Sequence, residues 1–398
     1  MKICLINNLY QPFNRGGAER VVETIANGLI KAGHEVFIIC TKPRFSKLRP
    51  ACRTGRITTR LPDGQDYKLR IYYLNSLYYN LNKLPKFFRL VWHLWDMFGI
   101  VGYFKIKKIL QRENCDAVIA NNLMGVGFLA VPAVKRLKIK LIQIVHDIQL
   151  IHPSGLLRFG EENKINTLLA RNYAGLMSRI VDSPDIVIFP SRWLMDIHLD
   201  KIFFIKSKRI VLPNPIETSR KAIGGNSAAG FKFIFIGQIE EHKGVFLLIE
   251  AFKTIKRKYP EAELTIAGNG SKRTEAEALG AGVKFLDWPG EAAADKLLSC
   301  SHCLVYPSLV YENCPNAIQR ALAAGLPVLA SELGGIPELL SENAGILFKP
   351  ADERALADKM AWVLDNKNNL SAIIQAGQAK AELFKTENYL KEILPLLQ

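Results

Sequence analysis

Lys2-Ile-Cys-Leu-Ile-Asn7, Gly16-Gly-Ala-Glu-Arg-Val-Val22 and Val36-Phe-Ile-Ile-Cys40 follow one another at the head of the chain. The first and third are apolar runs of strand length. Between them Val21, Val22, Ile25, Leu29 and Ile30 recur at helical spacing over 18–31, and Gly33 is placed to end that helix. Residues 8–17 form a loop closing on Gly16-Gly17. This is a β-α-β unit, which requires a parallel sheet. Further strands are expected at 117–120, 140–145, 186–189 and 209–212, with helical stretches between them. Such alternation predicts a parallel sheet covered by helices on both faces.

The pattern breaks at Leu212-Pro-Asn-Pro215, and the small-residue run Gly224-Gly-Asn-Ser-Ala-Ala-Gly230 suits a linker. A second series starts at Lys232-Phe-Ile-Phe-Ile-Gly237 and continues through strands near 263–267, 283–286, 303–306 and 327–330. The 398 residues also exceed one ordinary core. The expectation is an α/β chain of two doubly wound domains. An N-terminal domain spans 1–213, a linker 214–230 and a C-terminal domain 231–398, with the last helix packing back on the N-terminal domain. Ligands of such sheets sit at the strands' carboxyl ends, which predicts a site in a cleft between facing domains.

Charge is unevenly placed. Residues 1–213 hold 33 Lys+Arg and 15 Asp+Glu, a net of +18, whereas 214–398 hold 20 and 22, a net of −2. A one-sided field points to an anionic partner. Residues 81–110 add aromatics among basic side chains. Phe87, Phe88, Trp92, Trp95, Phe98, Tyr103 and Phe104 alternate with Lys83, Lys86, Arg89, Lys105, Lys107 and Lys108. That mixture suits an anionic membrane interface, against the plainer alternative of a helix packed inside the domain. No run of 18 apolar residues occurs and the start of the chain reads as a strand, so neither a spanning helix nor a signal peptide is expected. Seven scattered cysteines argue against a disulfide framework and for a reducing compartment. Cys300 and Cys303 lack a second pair at zinc-ligand spacing, so no metal site is expected there. A dinucleotide oxidoreductase would need G-x-G-x-x-G after the first strand, which is absent, and no nucleic-acid motif accompanies the basic half.

Three loop-to-helix junctions suit anions. Gly16-Gly17 precedes the first helix. Glu312-Asn-Cys-Pro-Asn316 opens a helix over 317–324. Gly334-Gly335 precedes Pro337-Glu338. Glycines let backbone approach a phosphate, and helix N-termini offer N–H groups. Lys243, just after another strand, adds positive charge.

Several stretches together resemble the large retaining glycosyltransferase family 4, of GT-B fold. They are Gly16-Gly-Ala-Glu-Arg-Val-Val22, His146-Asp147, Pro190-Ser-Arg192, Pro213-Asn-Pro215, Gly237-Gln-Ile-Glu-Glu-His-Lys-Gly-Val245 and Ala267-Gly-Asn-Gly270. The longest are Pro307-Ser-Leu-Val-Tyr-Glu-Asn-Cys-Pro-Asn316 and Ala324-Gly-Leu-Pro-Val-Leu-Ala-Ser-Glu-Leu-Gly-Gly-Ile-Pro-Glu338. The resemblance implies that Gly16 and Gly17 approach a donor diphosphate and that His146 hydrogen-bonds the transferred sugar. It implies that Lys243 neutralises the diphosphate leaving group, that Glu312 contacts the sugar, and that Asn316 and Ala317 offer backbone N–H groups. No metal or cofactor is implied beyond a nucleotide-diphosphate sugar as substrate.

Two positions depart from the family. Arg320 stands where a ribose-binding Glu is usual, eight residues after Glu312, and an Arg has no acceptor for ribose hydroxyls. Gln238 stands where Arg is frequent. The set Gln238, Lys243, Glu312, Arg320 sums to +1, so Arg320 is expected to pair with phosphate. Asp287-Trp288 also replaces a glycine-containing turn. The resemblance implies a retaining transferase acting on a saccharide or lipid-linked saccharide in cell-surface polysaccharide assembly. Such an enzyme would be cytoplasmic and peripheral on the inner face of the membrane. The competing expectations are a degenerate homologue that only binds, favoured by Arg320, and a sugar-nucleotide epimerase of the same fold.

Overall fold

The computed structural model describes residues 1–13, 16–43, 54–60, 66–79, 85, 88, 92, 95–217 and 230–398. The chain forms two compact units. Unit 1 comprises Met1–Gly155, Asn163–Pro215 and Thr386–Gln398; unit 2 comprises Leu156–Glu162 and Ile216–Lys385.

Unit 1 opens with β1 (Lys2–Ile6), α1 (Gly17–Lys31) and β2 (Glu35–Pro43). Val21, Val22, Ile25 and Leu29 of α1 are fully buried, and Gly33, at φ +84°, turns the chain out of it. Two strands follow that were not expected, β3 (Thr54–Arg60) and β4 (Asp66–Ser76). Then come α2 (Ile100–Glu113), β5 (Ala117–Ala120), α3 (Ala130–Arg136), β6 (Lys140–Ile144), α4 (Leu168–Val181), β7 (Ile186–Phe189), α5 (Arg192–Leu199) and β8 (Lys208–Val211). Among the described residues the sheet order is β3-β4-β2-β1-β5-β6-β7-β8, parallel throughout except for the antiparallel edge strand β3. Ile3 lies beside Val36 on one side and Ala117 on the other, so β1 is central and buried on both faces.

Unit 2 carries β9 (Lys232–Ile236), α6 (Val245–Lys258), β10 (Glu263–Ala267), α7 (Arg273–Leu279), β11 (Lys284–Leu286) and α8 (Glu291–Ser299). It continues with β12 (Cys303–Tyr306), α9 (Asn316–Ala323), β13 (Val328–Ser331), α10 (Ile336–Leu339), β14 (Ile346–Phe348), α11 (Glu353–Asp365) and α12 (Ser371–Glu382). The order β11-β10-β9-β12-β13-β14 is fully parallel and is the Rossmann order, with its reversal between β9 and β12. The short strand β14, three residues long and directly after Gly345, was not expected.

The observed boundaries differ from a division into 1–213 and 231–398. Leu156–Glu162 adds an extended piece to unit 2: Phe159 N–H donates to Leu309 O and Tyr311 N–H to Leu157 O, each at 2.9 Å. The final helix α13 (Thr386–Leu397) belongs to unit 1, where Tyr389, Leu390, Ile393 and Leu397 join the core around α1. A Cβ on Gly28 of α1 would come 2.7 Å from Leu390, so that glycine makes room for the helix. Most of the expected linker, residues 218–229, lies outside the described residues, as do Lys83, Lys86, Phe87 and Arg89.

Candidate functional site

The reversal of strand order in unit 2 sets two loops side by side, one after β9 and one after β12. The first ends in a 3-10 turn, Glu241–Lys243, then Gly244 at φ +75°. A Cβ on Gly244 would stand 1.8 Å from Pro307 O, so only glycine lets this loop lie on the second one. The approach brings Lys243 Nζ into an ion pair with Glu312 Oε1. Tyr306 Oη, at the end of β12, and Ser308 Oγ donate to the same carboxylate oxygen at 3.2 and 3.3 Å. Burial alone would raise the Glu312 carboxyl. The Lys243 charge and the hydrogen bonds from Lys243, Tyr306 and Ser308 outweigh it and hold the group below the usual carboxylate range. Glu312 is therefore ionised at neutral pH, and both it and Lys243 remain partly open to solvent.

Gly334-Gly335, expected as an anion junction, supports Glu312 instead. Gly335 N–H donates to Glu312 O at 2.7 Å, and a Cβ on Gly334, at φ +64°, would stand 2.3 Å from the same carbonyl oxygen. The helix behind them, α10, has only four residues. The better helix terminus is α9, which starts at Asn316 after Pro315. Ile318 and Gln319 N–H return to Pro315 O, and Asn316 and Ala317 form the first turn of the helix, a few residues after Glu312.

Arg320, expected to pair with phosphate, is held by carboxylates of the protein in this structure. Its Nε and Nη2 donate to Asp295 Oδ1 at 2.9 and 2.6 Å, Nη2 donates to Glu291 O at 2.7 Å, and Nη1 pairs with the Glu291 carboxylate. Its whole fork is engaged by α8, with two carboxylates answering one guanidinium. Gln238 is exposed on the loop after β9. That loop is braced by the next one: a Cβ on Gly268 would meet Gly237 O at 1.8 Å and one on Gly270 would meet Ile239 O at 2.1 Å. Asp287 has a role the sequence did not suggest, accepting from Arg273 Nη1 at 2.6 Å. His302 Nδ1 accepts from Lys232 N–H at 2.9 Å and Cys303 is buried inside β12. Among the described residues no group of three or more His, Cys, Asp or Glu is disposed around a metal position.

In unit 1 the strand order reverses at β1 and β5, and the expected residues lie at that edge. His146 Nε2 is 2.9 Å from Asn121 Oδ1. Burial drives His146 down to about 4, so it is neutral at pH 7 and its Nε2–H donates to Asn121. His146, Asp147, Asn121, Asn122 and Gln143 line a small cavity there. Burial pushes Asp147 up to about 6 against the opposing hydrogen bond from Gln149 N–H at 2.7 Å. Gly16 and Gly17 are exposed at the start of α1, but Gly16 N–H already donates to Glu19 Oε2 at 2.7 Å. The first helix is thus capped by its own carboxylate. Tyr306, Ser308, Asn121, Glu291 and Asp295 were not singled out from the sequence: Tyr306 and Ser308 meet Glu312 across a turn, and the other three find their partners 25 or more residues away.

Two family models match successive parts of the chain. "Glycosyltransferase Family 4" covers residues 15–220 and "Glycosyl transferases group 1" covers 218–380. An uncharacterised 42.6 kDa protein in the cps region of Klebsiella pneumoniae is 25% identical over 87% of this chain and 90% of its own length. An uncharacterised glycosyltransferase of Methanocaldococcus jannaschii is 26% identical over 75% and 83%. The amylovoran biosynthesis glycosyltransferase AmsK of Erwinia amylovora is 29% identical over 38% of this chain and 40% of its own. Among solved structures, sucrose-phosphate synthase of Thermosynechococcus elongatus aligns with TM-score 0.72 at 18% identity, covering 99% and 98% of the two chains. HepE of Anabaena in complex with UDP-glucose aligns with TM-score 0.70 at 18% identity, covering 100% and 99%. The two Rossmann-like units are those of the GT-B fold.

Proposed function

The chain belongs to glycosyltransferase family 4, and from that premise we propose a retaining transfer from a nucleotide-diphosphate sugar to a saccharide or lipid-linked saccharide acceptor. The observation that carries this reading is the Lys243–Glu312 pair at the strand reversal of unit 2, beside the N-terminus of α9. Sugar transfer builds negative charge on the departing diphosphate. An ammonium group and helix N–H groups fixed beforehand stabilise that charge as it forms. Lys243 has three N–H donors, so it can hold Glu312 and still reach a phosphate oxygen. Glu312, ionised and anchored by Tyr306 and Ser308, accepts hydrogen bonds from sugar hydroxyls; Asn316 and Ala317 donate backbone N–H groups. With the charge supplied this way, the chemistry proceeds without a metal.

His146, neutral at pH 7, serves as a hydrogen-bond partner for sugar hydroxyls, and Gly16 and Gly17 keep the backbone open to the donor. Cell-surface polysaccharide assembly is the setting favoured by the amylovoran and cps-region relatives. The enzyme would work in the cytoplasm at the inner face of the membrane, where lipid-linked acceptors are presented.

Incubation with a panel of nucleotide sugars and saccharide acceptors, following nucleotide release, tests the reading. Release by the wild type that depends on an acceptor, and is lost in Lys243→Ala and Glu312→Gln, supports it. One observation favours a second reading, a binding-only homologue: Arg320 occupies the usual ribose-acceptor position and is tied to α8. Nucleotide-sugar binding with no release across the whole panel would establish that alternative.

A further inference from the structure

The stretch leading into α2 and its first turns form a surface that the donor chemistry does not use. Trp95 is 73% exposed and Phe104 63%, and Phe98 and Val101 are exposed between them. Val101, Phe104, Lys105 and Lys108 follow one side of α2, and all four are exposed. The opposite side is already spent: Ile106 and Leu110 are fully buried in unit 1. The exposed apolar side is therefore not part of the domain core. Four large apolar side chains together exceed the singly scattered exposure normal on a soluble surface.

The platform is held firmly. A Cβ on Gly102 would come 2.6 Å from Val126 O, so this glycine lets α2 lie directly on the following loop. Asp96, next to Trp95, accepts from Gly125 N–H at 2.7 Å. The aromatic side chains project from a braced backbone rather than from a loose end.

We propose that this surface docks on an anionic phospholipid bilayer, with Trp95, Phe98, Val101 and Phe104 entering the headgroup–acyl boundary and Lys105 and Lys108 meeting lipid phosphates. Charge decides the occupant. Residues 97–112 contain four Lys or Arg and no Asp or Glu, within a half of the chain that carries a net charge of +18. Among the described residues neither Lys105 nor Lys108 is engaged by a carboxylate. A second copy of the chain would bring the same basic surface against itself, at a cost in repulsion. No described helix is long and apolar enough to cross a membrane, so the surface lies on the bilayer and does not traverse it. The proposal deepens the membrane side of the function above and rests on that reading only for its purpose, delivery of a lipid-linked acceptor.

The test is co-sedimentation of the full chain with vesicles, without donor or acceptor. Vesicles of pure phosphatidylcholine are compared with equimolar phosphatidylcholine and phosphatidylglycerol. The wild type is expected to sediment with the anionic vesicles only, with a blue shift in tryptophan emission. Lys105→Glu/Lys108→Glu should weaken binding at least ~25-fold, about fivefold for each lysine lost. Trp95→Ser/Phe104→Ser should weaken it at least ~10-fold and remove the blue shift. Unchanged circular dichroism and thermal unfolding establish that both variants are folded. Equal binding to neutral vesicles, no binding to either, or full binding by the aromatic double variant overturns the proposal. So does a wild-type dimer that the aromatic double variant dissolves in the absence of vesicle binding. Nucleotide release with a water-soluble acceptor is measured in parallel; because neither variant touches the Lys243–Glu312 site, loss of docking and loss of transfer are read separately.

Discussion

With Lys243 removed, the Glu312 carboxylate keeps its burial and loses its counter-charge. Two outcomes follow for Lys243→Ala. Turnover falls about 10²–10³-fold, the range for deleting one preorganised stabilising group. The acid limb of the pH–rate profile also moves to higher pH, because the group that held Glu312 low is gone. A variant that loses turnover with an unmoved acid limb would show that the pair is not coupled in the working enzyme. A second carboxylate, Glu113, makes a stability prediction. Burial would raise it, but Lys2 at 2.8 Å, Arg70 at 2.5 Å and the Tyr72 hydroxyl hold it at about 2. The folded value lies below the unfolded one. Its contribution is therefore complete above pH 4.5 and is lost as pH falls toward 2. That contribution is on the order of 3 kcal/mol. Denaturant unfolding should show Glu113→Gln losing most of the difference in stability between pH 7 and pH 3 that the wild type has at this site. An equally steep acid loss in the variant would place the titrating group elsewhere.

Loops and helices add what single side chains cannot. Gly244 donates no polar group to the site, yet Lys243 reaches Glu312 only because this residue adopts φ +75° with Pro307 O in the space a Cβ would fill. Gly244→Ala should cost more than the ~1–2 kcal/mol of a left-handed residue alone, because the clash adds to it. Activity should fall with it. Gly175 in α4 is the control, with nothing near its would-be Cβ; Gly175→Ala should stabilise by about 0.5–1 kcal/mol. Thermal unfolding of both variants decides the matter, and a Gly244→Ala protein as stable as wild type would sink the close-approach argument. The same elements show what was readable beforehand. Strands such as 117–120, 186–189 and 303–306 were legible to the residue because both faces are buried and the apolar run has sharp ends. Strand β4 was missed because Lys68, Arg70 and Asn75, exposed or half-buried, interrupt its apolar run. Lys243 and Glu312 were legible as candidates, each just after a strand. The partners that set their chemistry were not: Tyr306 and Ser308 act across a turn, and Glu291 and Asp295 reach Arg320 from another helix.

At the scale of the whole molecule, chain order and unit membership part company. Leu156–Glu162 belongs to unit 2 although both flanking stretches belong to unit 1, and Thr386–Gln398 returns to unit 1 from the far end of the sequence. Amphipathic spacing gives α13 only a core-facing side; the expected return of the last helix to the N-terminal domain is a separate reading. In the structure Tyr389, Leu390, Ile393 and Leu397 pack with Val21, Ile25 and Leu29 of α1. Burying four such side chains contributes roughly 1.5–3 kcal/mol each, comparable with the 5–15 kcal/mol that is the whole stability of a typical domain. A chain ending at Lys385 should therefore lose unit 1 while keeping unit 2, although it is cut beside unit 2 in sequence. Calorimetry should resolve the loss as a lowered or missing transition, and limited proteolysis should degrade unit 1 first. Ile393→Ala should do the same more gently, at about 2–5 kcal/mol, without moving the unit 2 transition. If the truncated chain instead loses unit 2, or both transitions fall together, then α13 stabilises something other than the core to which its contacts assign it.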